Sequence, residues 1–290
     1  MTVIRTKVSG FCMGVRRAVD MALEAAAACN NVYTLGPLVH NKNVLDELKK
    51  KGIKVLFKDD MPPSGSKVII RAHGIAPQME EKLNAMGVNI IDATCPKVKA
   101  SQKKVKEFAE KGHVIFLAGE KDHGEIIGLK GFATSSDSCD TSCYVIADIY
   151  EAEKTGQDVY KRNSGAKPVL VGQTTLSQEE YDAIGKTLKK YFPCLETVNT
   201  ICNATVERQD ALRELSDTVD AVIIAGGRDS ANTGRLLTLA HNLGKPAWLA
   251  ESAEKLPLEI KSYDKIGLAA GASAPDSLVD EIEQALCSID

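Results

Sequence analysis

Five times along this 290-residue chain, a short β-branched run ends in a polar or glycine-rich turn that leads into an amphipathic helix. The runs are KVIIRAHG at 67–74, HVIFLAGEKDHGE at 113–125, KPVLVGQTTLS at 167–177, DAVIIAGGRDSANT at 220–233 and KIGLAAGASAP at 265–275. A strand covered on both faces reads as a continuous apolar run, and the helix between two such strands makes the crossover that parallel pairing requires. The pattern predicts an α/β fold with mainly parallel sheets. No long Pro-, Ser- or Gly-rich linker interrupts it. The stretch 134–166, with SSDSCDTSC and KTGQDVYKRNSGAK, reads as the most loop-like region and a peripheral excursion. The four alanines at 25–28 belong inside a helix, where Ala needs no role beyond packing.

Three cysteines share one setting, a strand or turn followed at once by a helix. Cys12 in SGFC precedes a helix with apolar Val15, Ala18, Val19, Ala22, Leu23 and Ala26. Cys95 in IIDATC precedes one that starts with Pro96, a favoured first helical residue, and carries Val98, Val105, Phe108 and Ala109. Cys202 in VNTIC precedes one with Ala211, Leu212, Leu215 and Val219. These cysteines lie 83 and 107 residues apart, which suggests three comparable α/β units of about 97 residues. The expected divisions are 1–95, 96–196 and 197–290. A prior from length alone would give about two domains.

Helix N-termini at the carboxyl ends of parallel strands favour thiolates and ligands. Three separated thiolates suit a soft-metal centre, and a cubane iron–sulfur cluster with one iron lacking a protein ligand is compatible with them. The C-x2-C pairs of common zinc sites and the clustered cysteines of ferredoxins are absent. Cys139 and Cys143 form C-x3-C, but the third cysteine of a radical cluster motif is replaced by Ile146. Taken singly, each junction cysteine reads equally as a small buried hydrophobe. That reading is kept for Cys29, Cys139, Cys143, Cys194 and Cys287.

Eight cysteines are too few for a disulfide scaffold of this length, and no run approaches transmembrane length. The N-terminus resembles neither a signal nor a transit peptide, so a reducing cytoplasm is expected. The net charge of −3 supplies no bulk field toward nucleic acid or anionic membrane, and no basic patch or recognition helix stands out. An anionic ligand would have to be held by local groups.

Such groups gather at the other strand ends. His40 in GPLVHN, His73 in IIRAHG and His123 in AGEKDHGE each follow an apolar run, whereas His113 and His241 read as structural. Gly226, Gly227, Ser230, Asn232 and Thr233 form a glycine-rich turn before a helix, a possible phosphate cradle. Ser273 precedes the last helix, and Thr174 and Thr175 start another. An ordinary N-cap explains each hydroxyl as well. Glu125, two residues after His123, could deliver a proton to a leaving oxygen or simply complement a helix dipole.

Together these motifs resemble the LytB family, the 4-hydroxy-3-methylbut-2-enyl diphosphate reductases of isoprenoid biosynthesis. The elements are GFCMGV, LVHN, AHG, DATCP, HGE, QTT, IC, SAN and ASAP, in an order that covers nearly the whole chain. The resemblance implies a trefoil-like arrangement of three similar α/β domains with mainly parallel sheets around a central iron–sulfur cluster. It implies one 4Fe–4S cluster held by Cys12, Cys95 and Cys202, with one open iron. It assigns the diphosphate to His40, His73, Ser230, Asn232 and Ser273, with Ala231 offering only its backbone N–H. His123, Glu125 and Thr174 would surround the substrate hydroxyl, with Glu125 as proton source. Electrons would come from a ferredoxin or flavodoxin. The family usually reads N-S-S-N where this chain has Asp229-Ser230-Ala231-Asn232, and Asp229 is expected to point away or to pair with Arg228 or Arg235. From the residues alone, two other functions stay open: a redox-neutral iron–sulfur hydro-lyase and a non-enzymatic metal sensor.

Overall fold

The computed structural model describes residues 1–57, 60–134 and 142–289. Strands and helices alternate, and the strands form three parallel four-stranded sheets. One sheet runs in the order β1 (Thr2–Arg5), β12 (Lys265–Ala270), β10 (Ala221–Ala225), β11 (Ala247–Ala250). The second runs β3 (Ile53–Leu56), β2 (Val32–Leu35), β4 (Lys67–Ile70), β5 (Asn89–Asp92). The third runs β7 (Cys143–Ile146), β6 (Val114–Ala118), β8 (Pro168–Gly172), β9 (Glu196–Val198). The helices are α1 (Met13–Ala28), α2 (Lys42–Lys50), α3 (Pro77–Ala85), α4 (Pro96–Glu110) and α5 (Gly124–Thr134), followed by α6 (Ile149–Arg162), α7 (Gln178–Lys189), α8 (Asn203–Ser216), α9 (Ala231–Asn242) and α10 (Asp276–Cys287).

All five predicted strand–turn–helix units form. Their central strands are the ones expected from continuous apolar runs: β6, β8 and β10 are buried at every position. Helices α5 and α4 cover one face of the third sheet through Ile126, Leu129, Val105 and Ala109, all fully buried against Ile115, Leu117 and Val169. Truncating Ile126 or Leu129 to Ala costs about 2–5 kcal/mol.

The chain divides into two compact units. One comprises residues 1–30, 37–54 and 203–290 and holds the first sheet; the other comprises 31–36 and 55–202 and holds the third sheet. Among the described residues no helix is long and apolar enough to cross a membrane.

The 134–166 excursion needs correcting. Residues 135–141, with Cys139, lie outside the described residues, but 143–146 form the edge strand β7 and 149–162 form α6. Asp148 caps α6 by accepting from the N–H groups of Tyr150 and Glu151, and Ala152, Gly156 and Val159 supply its buried stripe. Two of those three contacts are small residues, so the periodicity was masked by polar composition. Thr174 and Thr175 do not open a helix either. α7 starts four residues later, where Ser177 and Glu180 form a reciprocal capping box.

Candidate functional site

In the unit of residues 31–36 and 55–202, five strand ends carry the candidate groups. The turn after β6 leads into α5, whose first turn contains Glu125, 1 % exposed. The turn after β8 contains Thr174, also buried. The two meet: Glu125 Oε1 accepts the Thr174 backbone N–H at 2.9 Å, and Oε2 lies 2.7 Å from the Thr174 hydroxyl. Both oxygens are thus directed by one residue, which a carboxylate serving only the helix dipole would not require.

His123 packs beside this pair. Its Nδ1 accepts the Glu125 backbone N–H at 3.3 Å, so the ring proton of the neutral form resides on Nε2. The His73 ring, from the turn after β4, stands edge-on to it with centroids 5.1 Å apart. Gly74 takes φ +72° to close that turn, donating its N–H to the Arg71 carbonyl at 2.9 Å. Cys95, after β5, is held by its N–H to the Ala72 carbonyl at 3.0 Å. Cys202, after β9, donates its N–H to the Thr174 carbonyl at 2.9 Å. A proposed ligand is therefore tied by backbone to the residue whose hydroxyl touches Glu125.

Two residues that sequence reasoning passed over complete this region. Gln173 is fully buried and ties the two turns together: its Oε1 accepts the Glu120 N–H at 3.0 Å and its Nε2 donates to Thr175 Oγ1 at 2.7 Å. It stands in the QTT triplet already singled out, and an amide between two strand-end turns was the available signal. Arg71, in the IIRAHG run, lies against Gly36 and Gly124, where an added Cβ would come 3.1 and 2.7 Å from its guanidinium. Burial lowers its pKa below the usual arginine value.

In the unit of residues 1–30, 37–54 and 203–290, the neighbouring strands β10 and β12 end side by side, joined by the Gly271 N–H to the Ala225 carbonyl at 2.9 Å. Ser230 is the N-cap of α9, accepting the Thr233 N–H at 3.4 Å, as the ordinary reading allowed. Ser273 is not a cap; Pro275 holds that position for α10. The Ser273 hydroxyl and the Asn232 amide nitrogen are buried with no hydrogen-bond partner among the described residues. Two orphaned donors on adjacent strand-end turns suit an anion that would complete them. Ala231 begins α9 and presents a backbone N–H in its first turn. His40 is half-buried beside Asn41, the N-cap of α2. A Cβ on Gly227 would fall 1.8 Å from the His40 carbonyl oxygen, so only glycine permits that approach. Asp229 is exposed, and Arg228 pairs instead with Glu251, its Nε 4.0 Å from Oε2. Cys12 donates its N–H to the Ala272 carbonyl at 3.1 Å, next to Ser273.

The donor set fits a soft-metal centre. Cys12 and Cys95 are the N-caps of α1 and α4, neither using its side chain to cap, and Cys202 directly precedes α8. All three are half-buried thiols at positive helix ends. Among the described residues no group of three or more His, Cys, Asp or Glu side chains is placed to hold a metal ion. Cys143 lies in β7, where burial pushes its thiol up to about 12. Cys29 ends α1 as expected, but Cys194 and Cys287 are exposed rather than buried.

These features define a parallel α/β protein whose candidate thiols and imidazoles lie in the turns that follow its strands, with Glu125 in the first turn of α5. Residues 3–287 match the model of the LytB protein family, to which the chain belongs. It is 43% identical to the 4-hydroxy-3-methylbut-2-enyl diphosphate reductase of Treponema denticola over 294 residues, 99% of each chain. A Thermoanaerobacter protein of the same name is 36% identical over 97% of this chain and 95% of its own. Among solved structures, the E-1-hydroxy-2-methyl-but-2-enyl-4-diphosphate reductase from Plasmodium falciparum superposes with a TM-score of 0.88 at 30% identity, covering 98% of this chain and 87% of that one. A structure of (E)-4-hydroxy-3-methyl-but-2-enyl diphosphate reductase, described as the terminal enzyme of the non-mevalonate pathway, matches with a TM-score of 0.70 at 33% identity over all of both chains.

Proposed function

We propose that this chain reductively dehydroxylates 4-hydroxy-3-methylbut-2-enyl diphosphate to isopentenyl diphosphate and dimethylallyl diphosphate, the last step of the non-mevalonate pathway. The reaction consumes two electrons and two protons and releases one water. Family membership supports the substrate. The observation that supports the chemistry is the buried Glu125–Thr174 pair, a carboxyl held against a hydroxyl.

Cys12, Cys95 and Cys202 would hold one 4Fe–4S cluster with one iron lacking a protein ligand. When bound, it would supply Lewis acidity toward the substrate hydroxyl and a route for electrons. The protein supplies position and protons. A backbone N–H can only donate, so Glu125 Oε1 acts as an acceptor and a proton on this carboxyl belongs on Oε2. From Oε2 it can pass to Thr174 Oγ1 while that hydroxyl hands its own hydrogen to the leaving oxygen, which departs as water. His123, with its proton on Nε2, adds a second donor to the same surround. The substrate diphosphate would be held by Ser230, Ser273, Asn232, the Ala231 N–H, His40 and His73. Neutral donors suffice for this, consistent with a chain of net charge −3.

A one-electron protein such as a ferredoxin or flavodoxin would deliver the electrons, in the reducing cytoplasm that the thiols require. The test is an anaerobic assay with the hydroxylated diphosphate, with and without a strong reductant. Product only in the presence of reductant supports the reductase. Conversion without any electron source means a hydro-lyase and ends this reading.

A further inference from the structure

We infer that the exposed face of α4 is the docking surface for an acidic electron-transfer protein. The inference rests on the reductase reading, because only a reaction that takes up two electrons needs such a partner.

Three helices start at a proposed ligand, and their charges differ. α1, after Cys12, is balanced, with Arg16 and Arg17 against Asp20 and Glu24, and Arg16 is already engaged by Asp276 at 2.9 Å. α8, after Cys202, carries Glu207, Asp210 and Glu214 against two arginines. One of these, Arg208, turns inward to the Ala204 and Gly10 carbonyls at 2.9 and 2.8 Å. α4, after Cys95, carries five lysines and two glutamates. The expectation that no basic patch stands out is therefore wrong locally. The whole-chain charge of −3 averages this helix away.

The lysines of α4 all face solvent, since Val98, Ser101, Gln102, Val105 and Ala109 form its buried side. Lys99, Lys103 and Lys106 recur every three to four residues, with side chains 50%, 80% and 54% exposed; Lys99 is engaged by Asp92 at 2.5 Å, which leaves Lys97, Lys103, Lys104 and Lys106 to set the sign of the face. Lys103 and Lys106 approach Glu107 and Glu110 only to 3.9 Å, contacts too loose and too wet to cancel their field. Lys97 and Lys104 have no ion-pair partner among the described residues. The positive end of the helix dipole adds to the same sign at Cys95.

Charge of this kind raises the encounter rate with an oppositely charged protein and orients it, with modest effect on anything neutral. α4 begins directly after Cys95, and Lys97 and Lys99 carry the same face into its first turns, beside that proposed ligand. Two successive encounters, each oxidising one donor molecule by one electron, supply the two electrons that enter the substrate together with two protons as one water is released.

The experiment compares two reductants on the holoenzyme, a reduced acidic ferredoxin and reduced methyl viologen, at low and high salt. For Lys103→Glu, Lys104→Glu, Lys106→Glu combined, we expect the KM for ferredoxin to rise about ten-fold. Viologen-driven turnover should stay within two-fold of wild type, and the ferredoxin defect should shrink as salt screens the field. The pair Lys186→Glu, Lys189→Glu on α7 should leave both activities unchanged. A triple variant with the wild-type KM for ferredoxin overturns the docking face, as does an equal rise from the α7 pair. If the triple Glu variant does not fold, the triple Gln variant carries the same readout, and an unchanged KM there has the same meaning. RNA binding that the triple variant abolishes while ferredoxin kinetics stay unchanged would assign the face to nucleic acid and also overturn it. Wild-type holoenzyme without viologen-driven turnover defeats the reductase reading instead, so the two failures are distinct.

Discussion

Thr174 holds Glu125 at both oxygens, through its backbone N–H at 2.9 Å and its hydroxyl at 2.7 Å, across 49 residues of chain. A carboxyl gripped this way has one oxygen fixed as acceptor and the other poised beside a hydroxyl that can relay a proton.

Glu125→Gln keeps the shape of the side chain, and its amide oxygen can still accept the Thr174 N–H. The variant should fold, retain iron and bind substrate, while kcat falls about 10²–10⁴-fold from loss of the transferable proton. Steady-state kinetics alongside iron analysis check this. Wild-type turnover would remove Glu125 from the proton path.

Gln173 acts at one remove, by clamping the turn that leads to Glu125 against the turn that carries Thr174. Gln173→Leu leaves the Glu120 N–H without its acceptor, which should lower unfolding free energy by about 1–3 kcal/mol. Because it acts on placement, kcat should drop with substrate KM little changed. Denaturant melts and kinetics together distinguish this from a merely structural loss, in which the remaining folded enzyme would keep its kcat.

Asp92 orders the turn before Cys95, accepting the Thr94 N–H at 2.9 Å and pairing with Lys99 at 2.5 Å. Burial pushes its pKa up, but the bonds from Lys99 and Thr94 outweigh it and hold the carboxyl below its ordinary value. A carboxyl depressed in the folded state contributes stability above its unfolded pKa, and loses it as pH falls through the folded one. Asp92→Asn should therefore destabilise at pH 7 by less than about 1 kcal/mol, since both partners are partly exposed and screened. The difference from wild type should fade below about pH 4. Urea titrations at both pH values measure it; an equal penalty at each contradicts the assignment.

Burial holds the Cys143 thiol neutral at physiological pH, with a pKa pushed up to about 12. A neutral thiol is a poor metal ligand. Cys143→Ala should retain full iron content and activity, whereas Ser at Cys12, Cys95 or Cys202 should lose both together. Iron loss in the Cys143 variant would transfer the ligand role.

Much of this architecture is written locally. The five apolar runs and their helices formed where period and turn chemistry placed them, and Cys12 and Cys95 are helix N-caps as their context indicated. What failed was local reading of weak or misleading signals. α6 hides its buried stripe in Ala152 and Gly156, and Thr174 looks like a helix start but serves as a hydrogen-bond partner of Glu125. Long-range facts left no local trace. β1 pairs with β12 near the opposite end of the chain, and the orphaned Ser273 and Asn232 donors emerge only once β10 and β12 lie side by side. The lysine face of α4 was visible in the letters, but a net charge taken over the whole chain concealed it.

The most direct measurement counts electrons. With anaerobic holoenzyme and limiting hydroxylated allylic diphosphate, the oxidation of reduced methyl viologen is followed while the isoprenyl products are quantified. A reductive dehydroxylation consumes two viologen radicals per molecule of isopentenyl plus dimethylallyl diphosphate formed. Substrate consumed with no viologen oxidised would contradict the account.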